Sequence, residues 1–327
     1  MTSILKRPIQ TLLFTILSIV SLYVPFSFAD SFKFVAYGDM PYNIPADFAR
    51  YERLIQTINT SNPEFVVFVG DTKSSSTPCS NEYNTIVKNY FNQFNQPLIY
   101  SVGDNEWTDC HTKKAGSYNP MERLNNLRQT FFNTKQSFGK RTLPLTRQAD
   151  TQKEFSDYVE NSYWINHDFL FVSLNISGTN NNLGVSKEGD VEYQERNLAN
   201  LAWIKYCSEI AVKKNLSGII FAYQADMFSV KKQAREKVNG YLDTVNAITS
   251  LAINFSKPIL LMHGDSHRLI IDQPITYPSS RMVVENVLRL QLMGEDEVQA
   301  VEVTINSDLQ SPFSFRPIII PENHLKP

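Results

Sequence analysis

Three short apolar runs in the first third of the chain each end in glycine followed by aspartate, and this pattern constrains the fold more than any other feature. Residues 32–37 run into Gly38-Asp39, residues 65–69 into Gly70-Asp71, and residues 98–102 into Gly103-Asp104. Continuous apolar runs of this length are what parallel strands look like when both sheet faces are buried. Between them lie segments with apolar residues at helical spacing. One covers 47–59, with Phe48, Tyr51, Leu54, Ile55 and Ile58 on one face; the other covers 82–94, with Tyr83, Ile86, Val87, Tyr90, Phe91 and Phe94. Strand–helix–strand alternation of this kind predicts right-handed βαβ units and a parallel sheet whose carboxyl ends share one edge. Three carboxylates then converge at that edge.

The second half repeats the theme less regularly. Helical patterns fall at 121–132, 192–212 and 241–255, and strands at 169–174, 219–223 and 259–263. Two of these strands deliver polar groups, Gln224-Ala225-Asp226 after one and His263-Gly264-Asp265-Ser266-His267 after the other. The β-rich runs at 269–272, 282–292 and 298–305 are expected to close a second sheet as antiparallel strands. Residues 307–327, rich in proline, are expected to pack on the surface of a single domain formed by residues 30–306.

The amino terminus is read as lying outside the fold. Residues 1–29 carry Lys6 and Arg7, then an apolar run over 12–24, then Ser27-Phe28-Ala29 with small residues at the positions a signal peptidase reads. A cleaved secretory signal is the expectation. An uncleaved anchor is the alternative, although the run is shorter than the ~20 residues a spanning helix needs. The protein is therefore expected to be secreted or periplasmic, with no membrane span once processed. Charge excludes other classes: 31 Lys plus Arg against 33 Asp plus Glu gives a net charge of −2, with no basic face for duplex nucleic acid.

Any one Gly-Asp after a strand is ordinarily a turn and a helix cap. Several carboxylates at one sheet edge are different, because burying them together is costly through repulsion and desolvation, and the usual compensation is a cation. A structural ion-pair network would need matching bases, and the neighbouring loops supply only Lys73 and Arg268.

The ordered set Gly38-Asp39, Gly70-Asp71, Gly103-Asp104-Asn105-Glu106, Gln224 and Gly264-Asp265-Ser266-His267 resembles the calcineurin-like metallophosphoesterase superfamily, whose pattern is D-x-H, GD, GNH(D/E), a later His, and GHxH. Successive motifs lie roughly 30 residues apart, one βαβ unit, and the resemblance spans nearly all of the chain after residue 29. It implies an α/β fold, a four-layer αββα sandwich in one domain, with a dinuclear metal centre at the carboxyl ends of the strands. The implied activity is hydrolysis of phosphate mono- or diesters by metal-activated hydroxide, with a small phosphorylated molecule as substrate.

The departures from the pattern shape the expectation. Asp39-Met40-Pro41 stands for D-x-H, Asp104-Asn105 for Asn-His, Gln224 for the later His, and Asp265 for the first His of the last motif. By position the resemblance assigns Asp39, Asp71 and His267 to one ion, and Asp71, Asp104, Gln224 and Asp265 to the other, with Asp71 bridging. Oxygen replaces nitrogen at nearly every changed position, which favours hard ions: Mn²⁺ or Mg²⁺, with Ca²⁺ or Fe as alternatives. The implied catalytic residues are Asp71, Asp104 and Asn105. Because a carboxamide cannot protonate a leaving group, the expected activity favours acidic leaving groups unless Glu106, His111 or Asp226 donates the proton.

Substrate phosphate is assigned to Lys73, Asn105 and Arg268. Tyr42 and Trp107 flank the motif loops as either pocket walls or loop packing, and His263 is either strand packing or, with a shifted register, a ligand. Cys79 and Cys110 sit on loops leaving the same edge, so a disulfide across the rim is expected, with Cys110–Cys207 as the alternative and Cys207 otherwise a buried thiol. The substitutions also admit a second class of function, a catalytically lapsed fold that binds a phosphorylated or surface ligand without turnover.

Overall fold

A computed structural model describes residues 31–229 and 237–324; the expected signal segment, residues 1–29, lies outside them, as do the last three residues of the tail. Two mixed sheets form the centre. The first is five-stranded in the order β12-β11-β1-β2-β3, built from β1 (Ser31–Tyr37), β2 (Val66–Phe68), β3 (Leu98–Tyr100), β11 (Ala300–Asn306) and β12 (Phe313–Ile318). The second is seven-stranded, β4-β5-β6-β7-β8-β10-β9, from β4 (Thr146–Arg147), β5 (Ser162–Asn166), β6 (Phe169–Ser173), β7 (Gly218–Ala222), β8 (Ile259–His263), β9 (Ile270–Asp272) and β10 (Val287–Gln291).

Strand alternation separates the layers. On β1, Phe34 and Ala36 face the second sheet, joining Phe171, Ile220, Leu260 and Met262 in the inter-sheet core. Val35 and Tyr37 point the other way, against α1 (Ala46–Ser61), α2 (Asn81–Phe91) and α3 (Pro120–Phe131). The outer face of the second sheet, including Val172, Ile219, Phe221 and Leu261, is covered by α4 (Lys187–Lys213) and α5 (Leu242–Phe255) through Trp203, Cys207, Ile248 and Ala252. The result is the four-layer αββα arrangement in one domain. Helix starts are marked in the sequence: Ser80 caps α2 through Tyr83 N, and Asn119 caps α3 just ahead of Pro120.

The expectation of antiparallel closing strands holds in part. β10 runs parallel to β8 inside the second sheet, whereas β11 returns to the first sheet antiparallel to β1 and brings β12 with it as the edge strand. The two runs look alike in sequence yet join different sheets. Strands β4 and β5, within 146–166, have no counterpart in the sequence reading; they are short and only partly apolar. Among the described residues no helix is long and apolar enough to cross a membrane.

What matters for function is direction. β1, β2 and β3 are mutually parallel, as are β6, β7, β8 and β10, so the loops after them emerge at shared edges, and these edges meet.

Candidate metal centre

Each motif loop turns sharply after its strand. Asp39, Asp71, Asp265 and His267 all have positive φ (54°, 60°, 71° and 56°), a region non-glycine residues enter at a cost and which clusters at functional sites. The backbone laces the loops together: Asp39 N donates to Gly70 O at 2.9 Å and Gly264 N to Gln224 O at 3.1 Å. Glu106 anchors the second and third loops. Its carboxylate accepts the backbone N–H of Thr72 and, at 3.0 Å, that of Gly103. Neither oxygen faces solvent, so the residue considered as an alternative proton donor serves instead as a loop clamp.

Asp39, Asp71 and His267 each direct one ligand-type atom into a common space, all within 4.8 Å of one another. Asp39 is fully buried. Its Oδ1 accepts Asp265 N at 2.9 Å and lies 3.3 Å from His267 Nε2, while its Oδ2 is buried with no hydrogen-bond partner. An orphaned buried carboxylate oxygen is rare because desolvation goes uncompensated. Next to a second carboxylate and an imidazole it is the donor set of a divalent cation. These residues fit a metal.

On the other side of Asp71 the arrangement differs. Asp71 Oδ2 accepts three bonds, from Tyr42 OH at 2.8 Å, Asn105 Nδ2 at 3.0 Å and Gln224 Nε2 at 3.1 Å. Its Oδ1 accepts Asn105 N at 3.2 Å. Gln224 Nε2 also donates to Asp104 Oδ1 at 2.9 Å, and Thr179 OH to Asp104 Oδ2 at 2.8 Å. Gln224, expected to present oxygen to an ion, presents nitrogen, because Gly178 N donates to its Oε1 at 2.5 Å. Asn105 is oriented in the same sense by the Lys73 carbonyl, 3.0 Å from its Nδ2. Asp265 Oδ2 accepts the Asp226 backbone N–H at 2.8 Å.

Electrostatics follow from this burial. Desolvation pushes the Asp71 carboxyl well above the usual range, and the charges of Asp104, Glu106, Asp39 and Asp265 push the same way. Burial raises Asp39 too, against the opposing hydrogen bond and charge of His267. His267 would be lowered by its own burial, but Asp39 and Glu295 outweigh this and raise it to about 9. Lys73 is 1% exposed; burial lowers its pKa, against the opposing charges of Glu106 and Asp71. It is thus an interior countercharge to the cluster, not a solvated loop lysine.

The remaining candidates are spread out. Arg268 is exposed, and its backbone carbonyl accepts a bond from Gln291. His111 is exposed, with Nδ1 2.7 Å from Thr108 O. Asp226 accepts Ser266 OH at 2.6 Å and lies 3.6 Å from Arg289. His263 is fully buried in β8, stacked on Tyr223, and burial lowers it to about 4. Trp107 is fully buried beneath Arg196. Tyr42 lines the site directly, its ring edge-on to His267 at 5.2 Å.

Sequence reasoning overlooked the loop after β6. Thr179, Asn180, Asn181 and Asn182 all have positive φ, and this turn delivers both Gly178 N and Thr179 OH to the site. The available signal was the Gly-Thr-Asn-Asn-Asn run itself, since asparagine tolerates left-handed backbone better than most residues. Cys79 and Cys110 form a disulfide with Cα atoms 5.8 Å apart, tying the second and third loops at the rim, and Cys207 is a buried free thiol.

No protein-family model and no curated protein matches this sequence significantly. Solved structures do. PhoD superposes with a TM-score of 0.52 at 8% identity, over 85% of this chain and 64% of its own. A dimetal phosphatase from Danio rerio gives 0.51 at 10% identity, over 88% and 99%. A purple acid phosphatase from yellow lupin (Lupinus luteus) seeds gives 0.50 at 13% identity, over 91% and 57%. The chain thus spans somewhat over half of the lupin enzyme and just under two thirds of PhoD. The fold is that of the calcineurin-like metallophosphoesterases.

Proposed function

We propose that the protein is a divalent-metal-dependent phosphoesterase acting outside the cytoplasm on a small phosphorylated substrate. The observation that carries this reading is the convergence of Asp39, Asp71 and His267, with Asp39 fully buried and its Oδ2 unpartnered. The export signal read in residues 1–29 and the rim disulfide support the compartment.

In this reading Asp39, Asp71 and His267 hold the ion. One imidazole and two carboxylates favour Mn²⁺ or Mg²⁺ over Zn²⁺. Held by these residues, a divalent ion would supply positive charge to polarise a phosphoryl oxygen and to acidify water. Tyr42, whose hydroxyl donates to Asp71 Oδ2, fixes that carboxylate and walls the open side next to His267. Asn105, whose Nδ2 is committed to Asp71 Oδ2 and the Lys73 carbonyl, holds no proton to transfer to a leaving group. Lys73 offsets the negative charge of the cluster from below, which lowers the cost of bringing in an anionic substrate.

The test is hydrolysis of an aryl phosphate by protein stripped of metal and reloaded with Mn²⁺, beside Asp71→Asn. Metal-dependent turnover, absent from the variant, supports the hydrolase. Metal binding without turnover on any phosphate ester would favour the binding-protein reading, for which the lack of an imidazole at Asn105 is the motivating observation.

A further inference from the structure

We infer that the centre is mononuclear: the position a second ion would take beside Asp71 and Asp104 is filled by a hydrogen-bond network donated by Gln224, Asn105 and Thr179. The inference rests on the metal-dependent reading above and narrows it to one ion held by Asp39, Asp71 and His267.

A carboxylate that bridges two cations must offer lone pairs to both. Asp71 Oδ2 instead receives three donors, Tyr42 OH, Asn105 Nδ2 and Gln224 Nε2. Asp104 has Oδ1 on Gln224 Nε2 and Oδ2 on Thr179 OH. The partial positive charge a second ion would bring is already present as N–H and O–H hydrogens, and a cation placed among them meets donors where it needs lone pairs.

The amides cannot simply turn over. Rotating Gln224 to present Oε1 would forfeit the Gly178 N bond at 2.5 Å and face its oxygen towards two carboxylates. Rotating Asn105 would set its oxygen against the Lys73 carbonyl, the Tyr42 oxygen and Asp71 together, at positions now 3.0 Å from Nδ2. Gly178 and Thr179 are held by the left-handed turn after β6, so the network is braced from outside the motif loops. On Asp39, Oδ1 accepts Asp265 N, but Oδ2 stays unpartnered.

Substituting Asp104 discriminates the two arrangements. An asparagine there keeps Oδ1 for Gln224 and can offer Nδ2 to the Thr179 hydroxyl, which then donates to Asp109 Oδ1, 2.7 Å away. If Asp104 belongs to the network, Asp104→Asn leaves the ion in place; if it is a ligand, the variant loses ion affinity.

The experiment is equilibrium dialysis of the purified full chain against Mn²⁺ with elemental analysis, and electron paramagnetic resonance of the loaded protein. Expected are one Mn²⁺ per chain with the six-line spectrum of an isolated ion, and in Asp104→Asn the same stoichiometry with affinity within about threefold. Asp39→Asn should bind none. Two ions per chain with an exchange-coupled spectrum would overturn the inference and leave the metal-dependent hydrolase standing. So would loss of the ion in a folded Asp104→Asn, checked by circular dichroism. No ion in the wild type would overturn both.

Discussion

The Asp39 carboxylate lies in the space that a side chain on Gly264 would occupy. A Cβ built on Gly264 overlaps Asp39 Oδ2 and comes within 3.2 Å of Oδ1. The glycine of the last motif thus lets the first motif's aspartate pack flat against its backbone, where Asp265 N can reach Oδ1.

Gly264→Ala should therefore displace Asp39 while leaving both sheets intact. The expected result is an unchanged circular dichroism spectrum with loss of the rise in Tm that Mn²⁺ gives the wild type. A full Mn²⁺ response in the alanine variant would show that Asp39 is not a ligand.

Asp39→Asn separates stability from binding. The wild-type carboxylate is buried with one oxygen unpaired, so removing its charge should leave the metal-free protein as stable as the wild type or more so. Saturating Mn²⁺ should stabilise only the wild type, by ~2.7 kcal/mol at a hundredfold excess over Kd. Urea unfolding with and without metal measures both effects, and a metal-free variant clearly weaker than wild type would contradict the first.

Substrate preference should follow from Asn105. Without a general acid at that position, aryl phosphates should be cleaved faster than alkyl phosphates by on the order of 10²–10⁴-fold. Equal kcat/KM on the two classes would require another group to donate the proton.

The Cys79–Cys110 bridge closes a loop with a sequence separation of 31 residues. In the chain-entropy model it contributes about 3–4 kcal/mol. A Cys79→Ser, Cys110→Ser double variant should lose about that much in urea unfolding, whereas a loss confined to Cys207 variants would contradict the assignment.

Far from the centre, Glu160 is buried and accepts two bonds from Arg128, at 2.9 and 2.8 Å, and one from Asn175 at 3.0 Å. Burial would raise its carboxyl, but Arg128 and these hydrogen bonds outweigh that and lower it. A lowered folded value stabilises the protein above the unfolded pKa of about 4.3, and the contribution is lost as pH falls through the folded value. Glu160→Gln should cost about 3–5 kcal/mol at pH 7, with the gap to wild type narrowing towards pH 3. A gap that stays constant with pH would show that Glu160's charge is not the cause.

The chain's one-dimensional pattern determined the βαβ units, the shared edge and the positions of Asp39, Asp71, Asp104 and His267. Buried strands and amphipathic helices are local periodicities, and a Gly-Asp at a strand's end is local too. Tertiary structure alone decided which sheet the late strands joined, since β10 and β11 carry similar apolar runs but pair with different sheets. It also decided what the polar residues at the edge do. Gln224 carries an oxygen and a nitrogen on one carbon, and nothing in its neighbours along the chain says which faces the carboxylates. That is set by Gly178, 46 positions away, because a backbone N–H arriving from another loop takes the oxygen and leaves the nitrogen for Asp71 and Asp104.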